Sequence, residues 1–413
     1  MGENTTNEAP ARCLEASTII SHNDKELKDD GITKPENLLA TIRESLNLKA
    51  SSRRNVPTLT NEAIMVGSIL GSGSFSQVFQ VHIIPEDWED PWEVSDDGEG
   101  EIKELISPTA PKQSSNKSYV SMSSHISNNS ASVPKYAIKK IRADFEGDIV
   151  MTALGMKDSY YEAEILSHIP SHPHIVSLKA LSRGFWEDPV SGFMVLERVS
   201  ETLKHRLARW NRAQRSNSKV SITSFFQFAK RRKEKLHAQY SRVNQAGVGI
   251  AHALDFLHSQ GIVYRDIKPA NIGFNYDGVV KLFDFGLART VQKSDQGSTL
   301  RLSGNAGTAR YMAPEVMESS DYSLPADVHS FGILLWEICS LERPYGKHSS
   351  IEQLSDSTCK SHQRPSEGKI ACPRLRRLLQ SCWDPDPWAR PTFPLIVREL
   401  QLAINGDVVT QTP

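Results

Sequence analysis

The chain has 413 residues, a net charge of -1 and 38% hydrophobic residues, so it can bury a large core, and its bulk charge favours neither nucleic acid nor a membrane surface. Its five cysteines form no CxxC pair, which excludes a zinc site or disulfide framework as the organising principle and fits free thiols in a reducing compartment. The start is polar with no secretory apolar core, and the best apolar run, 331–341, is broken by Glu337, so no membrane span is expected.

Residues 1–56 are polar and read as a disordered tail. From Leu59 to Ile84 an alternating pattern rich in Ile, Val and Phe predicts strands, with Gly71 and Gly73 marking a turn between two of them. Glycines there let backbone N–H groups approach a phosphate, although most such turns are ordinary hairpins. Residues 85–133 read as an insertion. Its first part, 86–104, holds ten Asp/Glu against one Lys, and 107–133 holds ten serines. Like charge and low hydrophobicity predict disorder.

Tyr136-Ala137-Ile138-Lys139 is a buried-strand pattern carrying one cation, which needs partners if it is buried. Residues 158–169 (DSYYEAEILSHI) predict a helix, and GFMVLERV at 192–199 another strand. Residues 204–242 carry twelve Lys/Arg against one Glu, and the middle, 212–240, reads as a second insertion. The bland reading is a solvated basic helix or loop. Nucleic-acid binding, nuclear import through KRRK at 230–233, or pairing with the acidic 86–104 are the alternatives. Val243, Ile250, Leu254 and Leu257 fall at helical spacing over 241–260, with Gly261 as the stop.

The chemistry is concentrated in YRDIKPANIGF at 264–274 and DFG at 284–286. Asp266 can orient a hydroxyl and accept its proton. Lys268 can neutralise a moving phosphoryl group, and Asn271 and Asp284 offer hard oxygens to Mg²⁺. Catalysis of phosphoryl transfer is mostly positioning and charge stabilisation, which suits this set.

These segments resemble the catalytic loop and metal motif of eukaryotic protein kinases. LGSGSFSQVF (70–79), KYAIKK (135–140), GTARYMAPE (307–315), DVHSFGILLWEI (327–338) and CWDPDPWARPTF (382–393) follow in the family's order. The resemblance covers roughly 59–405. It implies an α+β, two-lobed kinase fold: an N-lobe over 57–199 with a small antiparallel sheet and one main helix, and a helical C-lobe over 200–405, followed by a short tail, 406–413. It also implies that Leu70, Gly71, Gly73, Val78 and Ala137 border ATP, and that Lys139 pairs with Glu162, or with Glu164 as the alternative. The Glu197 carbonyl and Val199 amide would bond the adenine edge, and Leu196 would guard the back pocket. Asp266 and Lys268 would be catalytic, and Asn271 and Asp284 would hold Mg²⁺, with Mn²⁺ as an alternative. Thr308 would bond the catalytic pair, Glu315 would pair with Arg390, and Asp327 would brace the loop.

Two positions depart from the pattern. Ser76 replaces a third glycine, which predicts a stiffer lid. Gly273 replaces a Leu-like residue and predicts a thin adenine floor unless Phe274 or another residue fills in. Tyr264 stands where His is usual and should still stack under Phe285. Arg265 suits a phosphate on the loop that follows, with Ser298, Thr299 or Ser303 as the modified residue and an upstream kinase as partner. Trp383 and Trp388 should pack the C-terminal region. Lys268-Pro269-Ala270-Asn271 resembles Ser/Thr-specific members, and CWDPDPWARPTF resembles the tyrosine-kinase-like group. The resulting expectation is a Ser/Thr protein kinase in signal transduction that acts on protein substrates. It is expected in the cytoplasm, with the nucleus as an alternative. A pseudokinase scaffold of the same fold is the second reading, and a nucleic-acid module on 204–242 is disfavoured.

Overall fold

The structure is a computed structural model that describes residues 55–83, 135–145, 148–217, 225–291, 306–318 and 321–409. Residues 1–54, the acidic and Ser-rich insertion, Ser298, Thr299 and Ser303, and residues 410–413 lie outside the described residues, while 406–409, expected in the short tail, continue the last helix.

The N-terminal half is a six-stranded sheet of order β1-β5-β6-β4-β3-β2. Its strands are β1 (Thr58–Leu59), β2 (Met65–Ser72), β3 (Ser76–Ile83), β4 (Tyr136–Ile141), β5 (Leu178–Ser182) and β6 (Met194–Glu197). Only β1–β5 is parallel among the pairs of this sheet. Gly71 lies within β2 opposite Val78, so the tight turn falls at Gly73, whose N–H donates to the Ser76 carbonyl at 2.8 Å. One face of the sheet buries Leu59, Val81, Ile138, Ala180, Phe193 and Val195.

Helix α1 (Ile149–His168) covers the other face. It starts nine residues earlier than the sequence pattern suggested. Asp148 caps it, accepting from the Met151 N–H at 3.0 Å. Gly155 sits inside this helix, where a Cβ would stand 3.1 Å from Ile141 Cγ2 and 3.4 Å from Phe75 Cβ. A larger residue would push the helix away from β4 and the glycine turn.

The C-terminal half is helical, with β7 (Glu201–Thr202), β9 (Ile272–Phe274) and β10 (Val280–Leu282) forming a small sheet beneath the cleft. A second pair joins β8 (Ile262–Val263) to β11 (Arg289–Thr290). The helices are α2 (Leu203–Asn217), α3 (Phe225–Arg242), α4 (Val248–Ser259), α5 (Pro314–Met317), α6 (Pro325–Ser340), α7 (Ile351–Ser355), α8 (Pro373–Cys382) and α9 (Phe393–Val409). A wide turn, Val243–Gly247, joins α3 to α4, so the helix expected at 241–260 continues back to Phe225. Gly261, at φ +70, ends it in the left-handed conformation that glycine adopts freely.

The basic run is therefore two helices, and not all of it is solvated. Arg242 is 6% exposed and donates to the Ile338 and Cys339 carbonyls, both at 2.8 Å. Gln239 donates to Cys339 and Lys369. These side chains satisfy carbonyls at the C-terminus of α6, where cations and donors are favoured. Trp383 is buried, whereas Trp388 is 68% exposed and does not pack the core, contrary to expectation. Cys339, Cys359, Cys372 and Cys382 are free and buried. No described helix is long and apolar enough to cross a membrane.

Helix α6 is the buried axis of this half, and Glu337 interrupts its apolar face. The Tyr311 hydroxyl donates to Glu337 Oε2 at 2.6 Å. Burial pushes the Glu337 carboxyl from 4.5 up to about 7, against the pull of Tyr311, Arg343 and Arg310. Because the folded value lies above the unfolded one, the folded state binds the extra proton, and stability falls as pH rises between these values. Glu337→Gln keeps an acceptor for Tyr311 and removes the titration. Melting curves should show the variant matching wild type near pH 4.5 and exceeding it near pH 8. Parallel pH profiles would show that Glu337 does not titrate in this way.

Candidate active site

Strand β4 is hydrogen-bonded on both sides, with Lys139 opposite Val78 of β3 and Met194 of β6. That places the ammonium inside the molecule, 5% exposed. Its Nζ donates to Glu162 Oε2 of α1 and to Asp284 Oδ1 at 2.8 Å. Glu162, not Glu164, is the partner. Asp158, one helical turn before Glu162, brings a third carboxylate to the same place. Burial disfavours the Lys139 ammonium, but Asp284, Glu162 and Asp158 outweigh it and hold its pKa well above the usual lysine range. Burial likewise works against the charged Asp284, and the Lys139 charge more than offsets it, keeping that carboxyl low. Asp158 is pushed up to about 7, by burial first and then by the Asp284 charge.

Below this cluster lies the loop after β8. Asp266 is 5% exposed. Its Oδ1 accepts from Thr308 Oγ1 at 2.7 Å, and its Oδ2 accepts from Asn271 Nδ2 and Lys268 Nζ, both at 2.8 Å. Three donors from two segments thus fix one carboxylate. Asp327 of α6 holds the loop's backbone: the Tyr264 N–H donates to Oδ2 at 2.7 Å and the Arg265 N–H to Oδ1 at 2.9 Å. Arg265 has φ +74 and Asp284 φ +69, a region costly for residues with a Cβ. Gly307, at φ +118, packs where a Cβ would strike the Arg265 carbonyl. Tyr264 and Phe285 are both buried and meet edge to face at 5.3 Å, and the Tyr264 hydroxyl donates to the Phe283 carbonyl. The expected aromatic stacking is present in edge-to-face form.

At the hinge, Ala137 lies opposite Leu196, and both are buried. The Val199 N–H makes no hydrogen bond among the described residues. The Glu197 side chain pairs with Lys281 at 2.8 Å. Val78 is half-buried over the cleft, while Leu70, Gly71 and Gly73 are exposed on the lid. Ser76, in place of a glycine, is buried. The space at Gly273 is filled by neighbours, as the sequence reading allowed, but the residues that crowd it are Val199 and Phe283 and not Phe274.

Two scaffold pairs complete the frame. Arg390 binds Glu315 with two bonds, at 2.6 and 3.0 Å. The Arg265 guanidinium lies 5.6 Å from the Tyr322 ring centroid, and its buried Nε has no hydrogen-bond partner among the described residues.

The donor set fits Mg²⁺. Asn271 and Asp284 offer amide and carboxylate oxygens, and the Asp284 side chain stays 37% exposed towards the cleft although Oδ1 is bonded to Lys139. No cluster of three or more His, Cys, Asp or Glu that could hold a metal occurs among the described residues, so a hard ion here would need nucleotide phosphates and water to complete its shell. Sequence reasoning passed over Asp158 and Phe283. The four-residue step from Asp158 to Glu162 was a usable signal, since it puts both on one helix face. Phe283 had only its place beside DFG.

Residues 123–400 match the protein kinase domain family, and the chain belongs to that family. It is 36% identical over 181 residues to the dual specificity protein kinase shkC of Dictyostelium discoideum, a stretch that is 42% of this chain and 34% of that one. It is 35% identical over 165 residues to the serine/threonine-protein kinase STY17 of Arabidopsis thaliana, covering 40% and 28% of the two chains. To the serine/threonine/tyrosine-protein kinase HT1 of the same plant it is 32% identical over 170 residues, covering 41% and 42%. The chain thus spans less than half the length of these relatives.

The Asp158 carboxylate lies against Gly286 so closely that no Cβ fits between them. Gly286→Ala should therefore lower the melting temperature by several degrees, consistent with an overpacking cost of about 1–3 kcal/mol. Adding Asp158→Ala should recover most of the loss. Purely additive losses in this double-mutant cycle would show that the two groups do not collide.

Proposed function

We propose that the chain is a MgATP-dependent protein kinase that phosphorylates Ser and Thr hydroxyls. The observation that carries this reading is the Asp266 carboxylate, clamped by Thr308, Asn271 and Lys268 in the same cleft as the Lys139–Glu162 pair. A carboxylate fixed in this way can align a hydroxyl and accept its proton as the oxygen attacks phosphorus. Lys268, 2.8 Å from Asp266, can follow the charge of the transferring group. Lys139 stays charged and is suited to the α- and β-phosphates. Leu70, Gly71, Gly73, Val78 and Ala137 would enclose the nucleotide, and the Val199 amide and Glu197 carbonyl would bond its base. Mg²⁺ held by Asn271 and Asp284 would neutralise the phosphate charge, and Mn²⁺ could replace it. The presence of every one of these groups weighs against a pseudokinase.

The choice of Ser and Thr rests on Lys268-Pro269-Ala270-Asn271 and on the Thr308–Asp266 bond. Relatives named as dual-specificity kinases make tyrosine the competing acceptor. The Arg265 Nε, without a hydrogen-bond partner among the described residues, would suit a phosphate on Ser298, Thr299 or Ser303 placed there by an upstream kinase. Free buried cysteines favour a cytoplasmic setting, and KRRK at 230–233 favours a nuclear one as the alternative.

Transfer of labelled γ-phosphate from MgATP to a generic basic protein tests the reading. Wild type should label Ser and Thr, and Asp266→Asn should lose transfer by about a thousandfold, as removal of a positioned base and its alignment implies. Label on tyrosine would shift the assignment to dual specificity. If no label appears even after pretreatment with an activating kinase, the catalytic reading fails.

A further inference from the structure

The space above Gly273 is already taken. A Cβ built there would stand 2.9 Å from Val199 Cβ and 3.1 Å from both Val199 Cγ1 and Phe283 Cε1. The first approach is closer than real Cβ atoms come and the other two would force their neighbours to shift, so glycine at 273 goes with bulk at 199 and 283. Phe283 is anchored on both sides. Its N–H donates to the Asn271 carbonyl at 3.1 Å, and its own carbonyl accepts from Tyr264. Its ring packs against the core yet stays half-buried, and it has no aromatic or cationic partner among the described residues. A large apolar ring with accessible surface thus lies beside Val199, whose N–H has no hydrogen-bond partner among the described residues.

Resting on the ATP-binding reading above, we propose that Phe283 is the specificity-determining platform of the nucleotide site. Its ring, seated over Gly273 and flanked by Val199, carries the nucleobase. An aromatic surface stacks on a purine and also shields its apolar area from water. The floor comes from the segment that ends in Asp284 instead of from the middle of β9. Base binding and the placement of Asp284 therefore share one stretch of backbone.

The test compares full-length wild type, Phe283→Leu and Phe283→Ala for affinity towards MgATP, adenosine and magnesium tripolyphosphate, alongside steady-state kinetics. Tripolyphosphate has no base, so it separates a lost platform from a distorted site. Loss of stacking should weaken MgATP and adenosine about tenfold or more in the Ala variant and less in the Leu variant. Tripolyphosphate should bind all three proteins alike, and KM for ATP should rise with kcat little changed. Should Phe283→Ala fail to fold, the Leu variant decides by the same comparison. Equal ATP and adenosine affinity in wild type and the variants overturns the platform alone. So does a parallel loss of tripolyphosphate binding, which would mark Phe283 as structural. A wild type that binds tripolyphosphate but neither ATP nor adenosine overturns the nucleotide reading and the platform with it.

Discussion

The Lys139 ammonium, 5% exposed and held by carboxylates from two other segments, is the constraint on which the rest of the structure depends. Its partners lie 23 and 145 residues away in the chain. Removing a charge from water costs several kcal/mol, and leaving one without its partner costs about 3–5 kcal/mol. The arrangement is tolerable only when β4, α1 and the segment after β10 are all in place. The ion pairs therefore act as a clasp between distant segments. They hold the helix to the sheet and bring Asp284 to the cleft. Gly155 and Gly286 follow from the same requirement, since each allows an approach that a side chain would block.

A second constraint governs the lower half. Arg265 and Asp284 both sit at positive φ, which costs about 1–3 kcal/mol each and persists only where the surroundings impose it. Asp327 imposes it on the first by taking the N–H groups of Tyr264 and Arg265, and Lys139 draws the second inward. Asp327 is itself fixed on α6, a largely buried helix, which Arg390, donating to the Pro325 carbonyl, and the side chains of Arg242 and Gln239 tie to its neighbours. The clamped carboxylate of Asp266 is thus supported by a chain of buried polar contacts that runs to the C-terminal helices.

Much of this was legible before any coordinates. The spacing of Glu162 from Leu166 singled out the right glutamate, and the order of motifs identified the fold. The errors have physical causes. Residues 149–157 carry Gly155 and no clean apolar period, so helix α1 was read nine residues short. Like charge suggests a solvated helix or loop for 204–242, because composition does not reveal that Gln239 and Arg242 bond the carbonyls at the end of a buried helix. Trp388 was assigned to the core on hydrophobicity alone, although single exposed aromatics are ordinary. Which residues fill the space at Gly273 is not legible locally, because they lie 74 positions before it and ten after it, at Val199 and Phe283.

The amino-acid sequence by itself determined the chemistry: which carboxylates, amide and cations are present, in what order, and on which kinds of element. These are local properties, set by residue type and by spacing along one strand, helix or loop. Only the tertiary structure decided which of those groups share a site, that a third carboxylate from Asp158 joins them, and that Phe283 occupies the volume left by Gly273. Those outcomes depend on distances between segments far apart in the chain, and close packing, not local propensity, sets those distances.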